Sequence, residues 1–172
     1  VASLVEVLID TLNKEESEYV TLLGLSTKKT PVIVAGKVEE LQKITDEEQA
    51  VVDRLVSLDA KRAEAMKDIA EVMNRDVTTL KLSDLIEMLE KRPEERDILA
   101  DLHDRLKATV SELRMINDQN RELIRQSLDI VDFNLNLIKS QRSAPETGNY
   151  NKSADIAGSH LGGPTGGFDA KQ

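Results

Sequence analysis

Two histidines, His103 and His160, are the only imidazoles in the chain. A dinuclear metal site in a helical bundle needs Glu-x-x-His pairs on two helices together with further glutamates. His103 lies between Leu102 and Asp104 at the edge of an apolar helical face, and His160 lies in a glycine-rich segment near the C-terminus. The pattern is therefore missing, and His103 reads as a partly exposed structural side chain rather than a metal ligand. Cysteine is absent, which excludes a disulfide framework, a thiol nucleophile and a zinc ribbon. Gly162-Gly163-Pro164-Thr165-Gly166-Gly167 lacks the Lys-Ser/Thr pair and the preceding strand of a phosphate loop. Carboxylates are abundant, but helical spacing scatters them over exteriors where no dry cleft can drive two of their pKa values apart. The expectation is a non-enzyme with no cofactor and no metal.

What must be positioned is therefore a surface. The 172 residues carry 2% aromatic, 40% hydrophobic and 32% charged side chains, a composition for long aliphatic helices rather than for sheets. The net charge of −9 lies entirely in residues 1 to 140, while residues 141 to 172 hold three bases and three acids. Six of the eight glycines also fall in that last stretch, and its apolar residues follow no period. It reads as a flexible, glycine-rich tail over 142–172. Lys28-Lys29, Lys61-Arg62 and Lys91-Arg92 are isolated and flanked by acids, so no nucleic-acid stripe exists. No apolar run approaches the ~20 residues that cross a bilayer. The chain reads as soluble, non-secreted and free of membrane insertion.

Helical seams organise the body. Val5, Leu8, Leu12, Glu15, Tyr19 and Leu22 recur at three and four residue steps and predict a helix over 3–28. Thr30-Pro31 reads as an N-cap followed by a first-turn proline, which predicts a second helix over 31–73. Its seam is Val34, Lys37, Leu41, Ile44, Glu48, Val51, Leu55, Leu58, Arg62, Ala65, Ile69 and Val72, in a rod about 60 Å long. Ser83 and Asp84 predict the start of a short helix over 83–90. Pro93-Glu94-Glu95 opens a last helix over 93–141, with its seam at Leu99, Leu102, Leu106, Thr109, Leu113, Ile116, Asn120 and Leu123. The second and last helices match in length, which predicts an antiparallel pair with the first helix along one end. The fold class is all-α: an elongated antiparallel helical bundle or coiled coil of three long helices and one short one. In that pairing residue numbers sum to about 170, placing Glu48 near Asn120 as a polar layer that fixes register.

From Leu123 onward the last helix changes character. At about 100° per residue its apolar side chains spread over roughly 220° of the circumference, about twice what one seam uses. Leu123, Ile130 and Leu137 form a stripe that can face the second helix, and Ile124, Leu128, Val131, Leu135 and Ile138 form a surplus stripe. Burial by the first helix and docking of a partner both fit that surplus.

The run Asn120-Arg121-Glu122-Leu123-Ile124-Arg125-Gln126-Ser127-Leu128-Asp129-Ile130-Val131-Asp132-Phe133-Asn134-Leu135-Asn136-Leu137-Ile138 resembles the last helix of the FlgN family of flagellar export chaperones. Tyr19 with Leu22-Leu23, Val38-Glu39-Glu40-Leu41, Asp46-Glu47-Glu48-Gln49 and Asp59-Ala60-Lys61-Arg62 resemble that family's first two helices. The resemblance implies a cytoplasmic chaperone of the flagellar type III export system. Its clients would be hook-filament junction (hook-associated) proteins, held by their C-terminal helical segment on the chaperone's C-terminal helix. It assigns client binding to Ile124, Leu128, Val131, Leu135 and Ile138, and makes Tyr150 the candidate for contact with the export gate. The alternative is a structural or adaptor coiled coil that homo-oligomerises, for instance as a homodimer, through the same stripe.

Overall fold

The computed structural model describes residues 2–78 and 80–143. They form four helices and no strand: α1 (Ala2–Val34), α2 (Val38–Val72), α3 (Leu82–Met88) and α4 (Pro93–Ser143). The chain divides into two compact units, Val1–Asp129 and Ile130–Gln172. The first is an all-α bundle in which α1 and α2 are an antiparallel hairpin and α4, up to Asp129, runs parallel to α1. The described part of the second unit is the end of α4.

The turn between the first two helices differs from the expected one. α1 continues through Thr30 and Pro31 and ends at Val34, and α2 begins at Val38. The stop signal is Gly36. Its φ of +65° is a left-handed conformation that glycine adopts without penalty. Gly36 N–H donates to Ile33 O at 3.0 Å and Lys37 N–H to Val32 O at 3.1 Å, the paired bonds of a Schellman motif. Pro31 gives up one helical hydrogen bond, a cost of about 3 kcal/mol inside a helix. Val32 and Ile33, directly after it, are buried at 7% and 5% exposure. Each such burial contributes roughly 1.5–3 kcal/mol, which offsets the proline. α2 ends in the same way: Asn74 has φ +51°, Asn74 N–H donates to Glu71 O and Arg75 N–H to Ala70 O.

The pairing of long helices also differs from the expected one. With α1 extended to 33 residues, its length matches the 35 of α2, about 52 Å, whereas α4 has 51. The matched pair is therefore α1 with α2, not α2 with α4, and α1 runs the length of the hairpin. α3 starts at Leu82 rather than at Ser83, and Asp84 sits within its first turn, where its carboxylate accepts the Lys81 backbone N–H at 3.0 Å.

Two apolar clusters hold the first unit together. One joins Val5, Leu8 and Leu12 of α1 to Ala65 and Ile69 of α2, Leu85 of α3, and Leu99 and Leu102 of α4. The other, nearer the hairpin turn, joins Leu25 and Val32 of α1 to Ile44, Val51 and Leu55 of α2. Between them the α1 seam carries Glu15, whose side chain is 4% exposed. Its only described ion pair runs from Oε1 to Arg62 Nε at 3.4 Å without the alignment of a hydrogen bond, and Oε1 has no hydrogen-bond partner among the described residues. Burial pushes its pKa up, the Arg62 charge opposes that and Asp59 adds to it.

Gly36, Gly24 and Glu15 each carry a testable consequence. Gly36→Ala forces a side chain into the left-handed region and should cost about 1–2 kcal/mol in urea or thermal unfolding. Gly24→Ala, in mid-helix with nothing within 4 Å of the added carbon, should instead gain up to about 1 kcal/mol. For Glu15, the folded carboxyl binds its proton more readily than the unfolded one. Its contribution to stability therefore falls as pH rises from the ordinary carboxylate value to the raised one, and its ionised form is a standing cost at neutral pH. Glu15→Gln should stabilise the protein at pH 7 by on the order of 1 kcal/mol, and the difference from wild type should vanish on acidification toward pH 4. A loss of stability at pH 7 would mean that the Arg62 pair outweighs desolvation.

Candidate functional site

Near the hairpin turn, α4 is held to the first unit by hydrogen bonds. Asn120, 4% exposed, donates through Nδ2 to the Ser26 backbone carbonyl at 2.8 Å and accepts from the Thr30 hydroxyl at 2.7 Å. Glu48 of α2 meets the same stretch of α1. It accepts from Ser26 Oγ at 2.9 Å and pairs with Lys29 Nζ at 2.5 Å, with both charged side chains largely buried. The structure thus brings Glu48 and Asn120 together through α1. Ser26, Lys29 and Thr30 complete the layer, and sequence reasoning missed them because Thr30 was spent as an N-cap. A hydroxyl on the α1 seam one turn before Thr30 was the available signal.

The Asn120 to Thr30 bond also sets a level. Counting along α4 from it, the turn at Ala35 to Lys37 stands opposite about residue 125 to 127. Past that level the hairpin has no residue to offer the last positions of α4 in the first unit. Leu123 is half-buried, and every described side chain from Ile124 to Gln141 is exposed. In the first unit this includes Ile124 and Leu128, the latter at 59%. In the second it includes Val131, Leu135 and Ile138, each about half exposed, and Ile130, Phe133 and Leu137. Of the expected stripe of Leu123, Ile130 and Leu137, Leu123 is half-buried in the first unit, and Ile130 and Leu137, in the second, are exposed. Phe133, at 66%, is the most exposed of the set and was left out of the sequence-derived binding residues. Its signal was that it is the one aromatic of α4.

The opposite arc is polar and knits the helix lengthwise. Arg125 donates to Glu122 at 2.7 and 3.0 Å and to Asp129 at 2.9 Å, and Gln126 Nε2 donates to Glu122 at 2.9 Å. Such i,i+3 and i,i+4 bonds support a helix that lacks tertiary packing. Hydrogen bonds from Arg125, and then from Gln126, hold the Glu122 carboxyl down at about 2. The result is a helical segment with one solvated, internally bonded arc and one apolar arc open to water. It can bury a complementary apolar face.

Among the described residues no group of three or more His, Asp or Glu is placed to hold a metal ion. No described helix is long and apolar enough to cross a membrane. His103 is half-exposed with Nδ1 3.1 Å from Asp104. Tyr150 and the rest of the expected tail beyond Ser143 lie outside the described residues.

Comparison with known proteins bears on this surface. A Bacillus subtilis (strain 168) protein, the uncharacterized protein YvyG, is 23% identical over 135 residues, which cover 78% of this chain and 78% of that protein. No solved structure matches. The family described as FlgN protein matches residues 4–157, from the start of α1 through the whole of α4. The chain belongs to the FlgN family.

Proposed function

We propose that this protein is a cytoplasmic export chaperone that binds flagellar hook-associated proteins by a C-terminal helical segment and delivers them to the flagellar type III export apparatus. FlgN proteins are flagellar export chaperones, and the observation that carries the finer reading is the run of exposed aliphatic side chains from Ile124 to Ile138. An amphipathic client helix laid along it would cover an i, i+4, i+7 ladder of Ile124, Leu128, Val131, Leu135 and Ile138.

Magnitudes refine the contact. Each of these side chains is about half exposed, so covering it contributes roughly 1 kcal/mol, and the five together roughly 5. A micromolar complex needs about 8 kcal/mol after the cost of association. The client must therefore also reach Ile130, Phe133 or Leu137, which means contact over more of the circumference than a single seam. In the same reading, Glu48 and Asn120 fix the register of α4 against α1 and so determine where its uncovered segment begins.

Leu128→Glu and Val131→Glu should each weaken binding of a hook-associated protein's C-terminal fragment at least about tenfold in calorimetric titration. Circular dichroism should show unchanged helix content, since both side chains are exposed. Light scattering of the chain alone and with the fragment separates this reading from self-association: a tight homo-oligomer that ignores the fragment would sink it. Asn120→Leu should change stability by no more than about 1–2 kcal/mol yet broaden the unfolding transition and multiply amide resonances. A single sharp spectrum with stability alone reduced would reject the register role.

A further inference from the structure

The first unit carries a second concave surface, which shares Ile124 with the α4 stripe and is otherwise lined by other residues. Leu12, Glu15 and Tyr19 of α1 face a depression of about 550 Å³, walled by Arg62 of α2 and by His103, Leu106, Lys107, Val110 and Arg114 of α4. Leu22, Ser26 and Lys29 of α1 face another of about 430 Å³, walled by Glu48 and Val52 of α2 and by Asn117, Asn120, Arg121 and Ile124 of α4. The α1 residues continue one three-and-four spacing from 12 to 29, so the two depressions follow one face of one helix. They form a groove between α2 and α4 with α1 as its floor, about 26 Å long.

Three features describe what would fill it. The floor and walls carry apolar side chains that are incompletely covered: Tyr19, Leu22, Leu106 and Val110 are all half-buried. The lining charge runs against that of the protein, with Lys29, Arg62, Lys107, Arg114 and Arg121 facing Glu15 and Glu48. Lys29 is paired with Glu48, Arg62 with Glu15 and Asp59, and Arg121 with Asp118, so the uncompensated lining charge in this chain of net charge −9 is that of Lys107 and Arg114 on the α4 wall, which have no ion pair among the described residues. Deep in the groove, the almost wholly buried Glu15 Oε1 lacks a hydrogen-bond donor. A buried acceptor left in that state costs free energy that an incoming N–H or O–H would recover.

We infer that this groove seats a partner's amphipathic helix of about five turns. The helix has an apolar face bearing one central hydroxyl or amide donor for Glu15, and acidic edges for Lys107 and Arg114. It completes a four-helix arrangement in which α1, otherwise open on one side, is enclosed. The inference rests on the groove alone and stands whether or not the α4 stripe binds clients.

The test uses the full chain and a designed, fluorescently labelled 18-residue peptide with leucines on one face, one central serine and glutamates on both edges; a control carries lysines in their place. An acidic protein attracts the lysine peptide overall, so a preference for the glutamate peptide reports the groove. The glutamate peptide should bind at least tenfold tighter than the control by anisotropy, with the difference shrinking at high salt. Lys107→Glu with Arg114→Glu should lower that affinity at least tenfold, and Leu128→Glu should leave it unchanged. Both basic side chains are exposed, so thermal melts should confirm an intact fold. Equal binding of the two peptides, or loss with Leu128→Glu but not with the double charge reversal, would overturn the inference. So would a homodimer that the double reversal dissociates, because the groove's occupant would then be a second copy of the chain.

Discussion

α1 is the helix on which both other long helices depend. α2 reaches it through Glu48 to Ser26 and Lys29, and through Arg54 to Glu18, where Nε and Nη2 donate to the two carboxylate oxygens at 2.8 and 2.9 Å. α4 reaches it through Asn120 to Ser26 and Thr30, and through Arg105 to Glu16 at 3.4 Å. The Arg54 to Glu18 pair is exposed enough that its geometry says more about register than about energy. The apolar clusters follow the same rule, each having α1 residues as members. Near the hairpin turn the apolar cluster is built from α1 and α2 alone, so α4 is held there chiefly by the amide of Asn120.

Much of this was legible as periodicity. Val5, Leu8, Leu12 and Glu15 of α1, Ile44, Glu48, Val51, Leu55, Ala65 and Ile69 of α2, and Leu99, Leu102, Leu113 and Asn120 of α4 are seam positions in the sequence and buried in the structure. Burial by period works because a helix presents the same face every three or four residues, whatever its partner. The partner is a different question, and there the reading failed. Thr30-Pro31 is a good helix start by local chemistry, but Gly36, one of two glycines in the body, is the residue whose backbone conformation the turn needs. Moving the turn by about five residues lengthened α1 enough to change which helices match.

The surplus apolar arc after Leu123 was legible as composition, and its exposure was not. Whether a neighbouring helix covers such an arc depends on where that neighbour ends, which periodicity within α4 does not encode. Family membership places the chain among flagellar export chaperones, and the exposed arc together with the groove over α1 says where partner contacts have room to form.

The Schellman turn at Gly36 has a further consequence. It acts as a ruler, because the number of residues before it sets how far along α4 the hairpin reaches. An added heptad in each arm of the hairpin, with no change to α4, would carry the turn two helical turns further and draw Ile124 and Leu128 into the seam. The exposure of Ile124 and Leu128 is then a matter of relative length as much as of side chains: both stay open because two helices stop while a third continues.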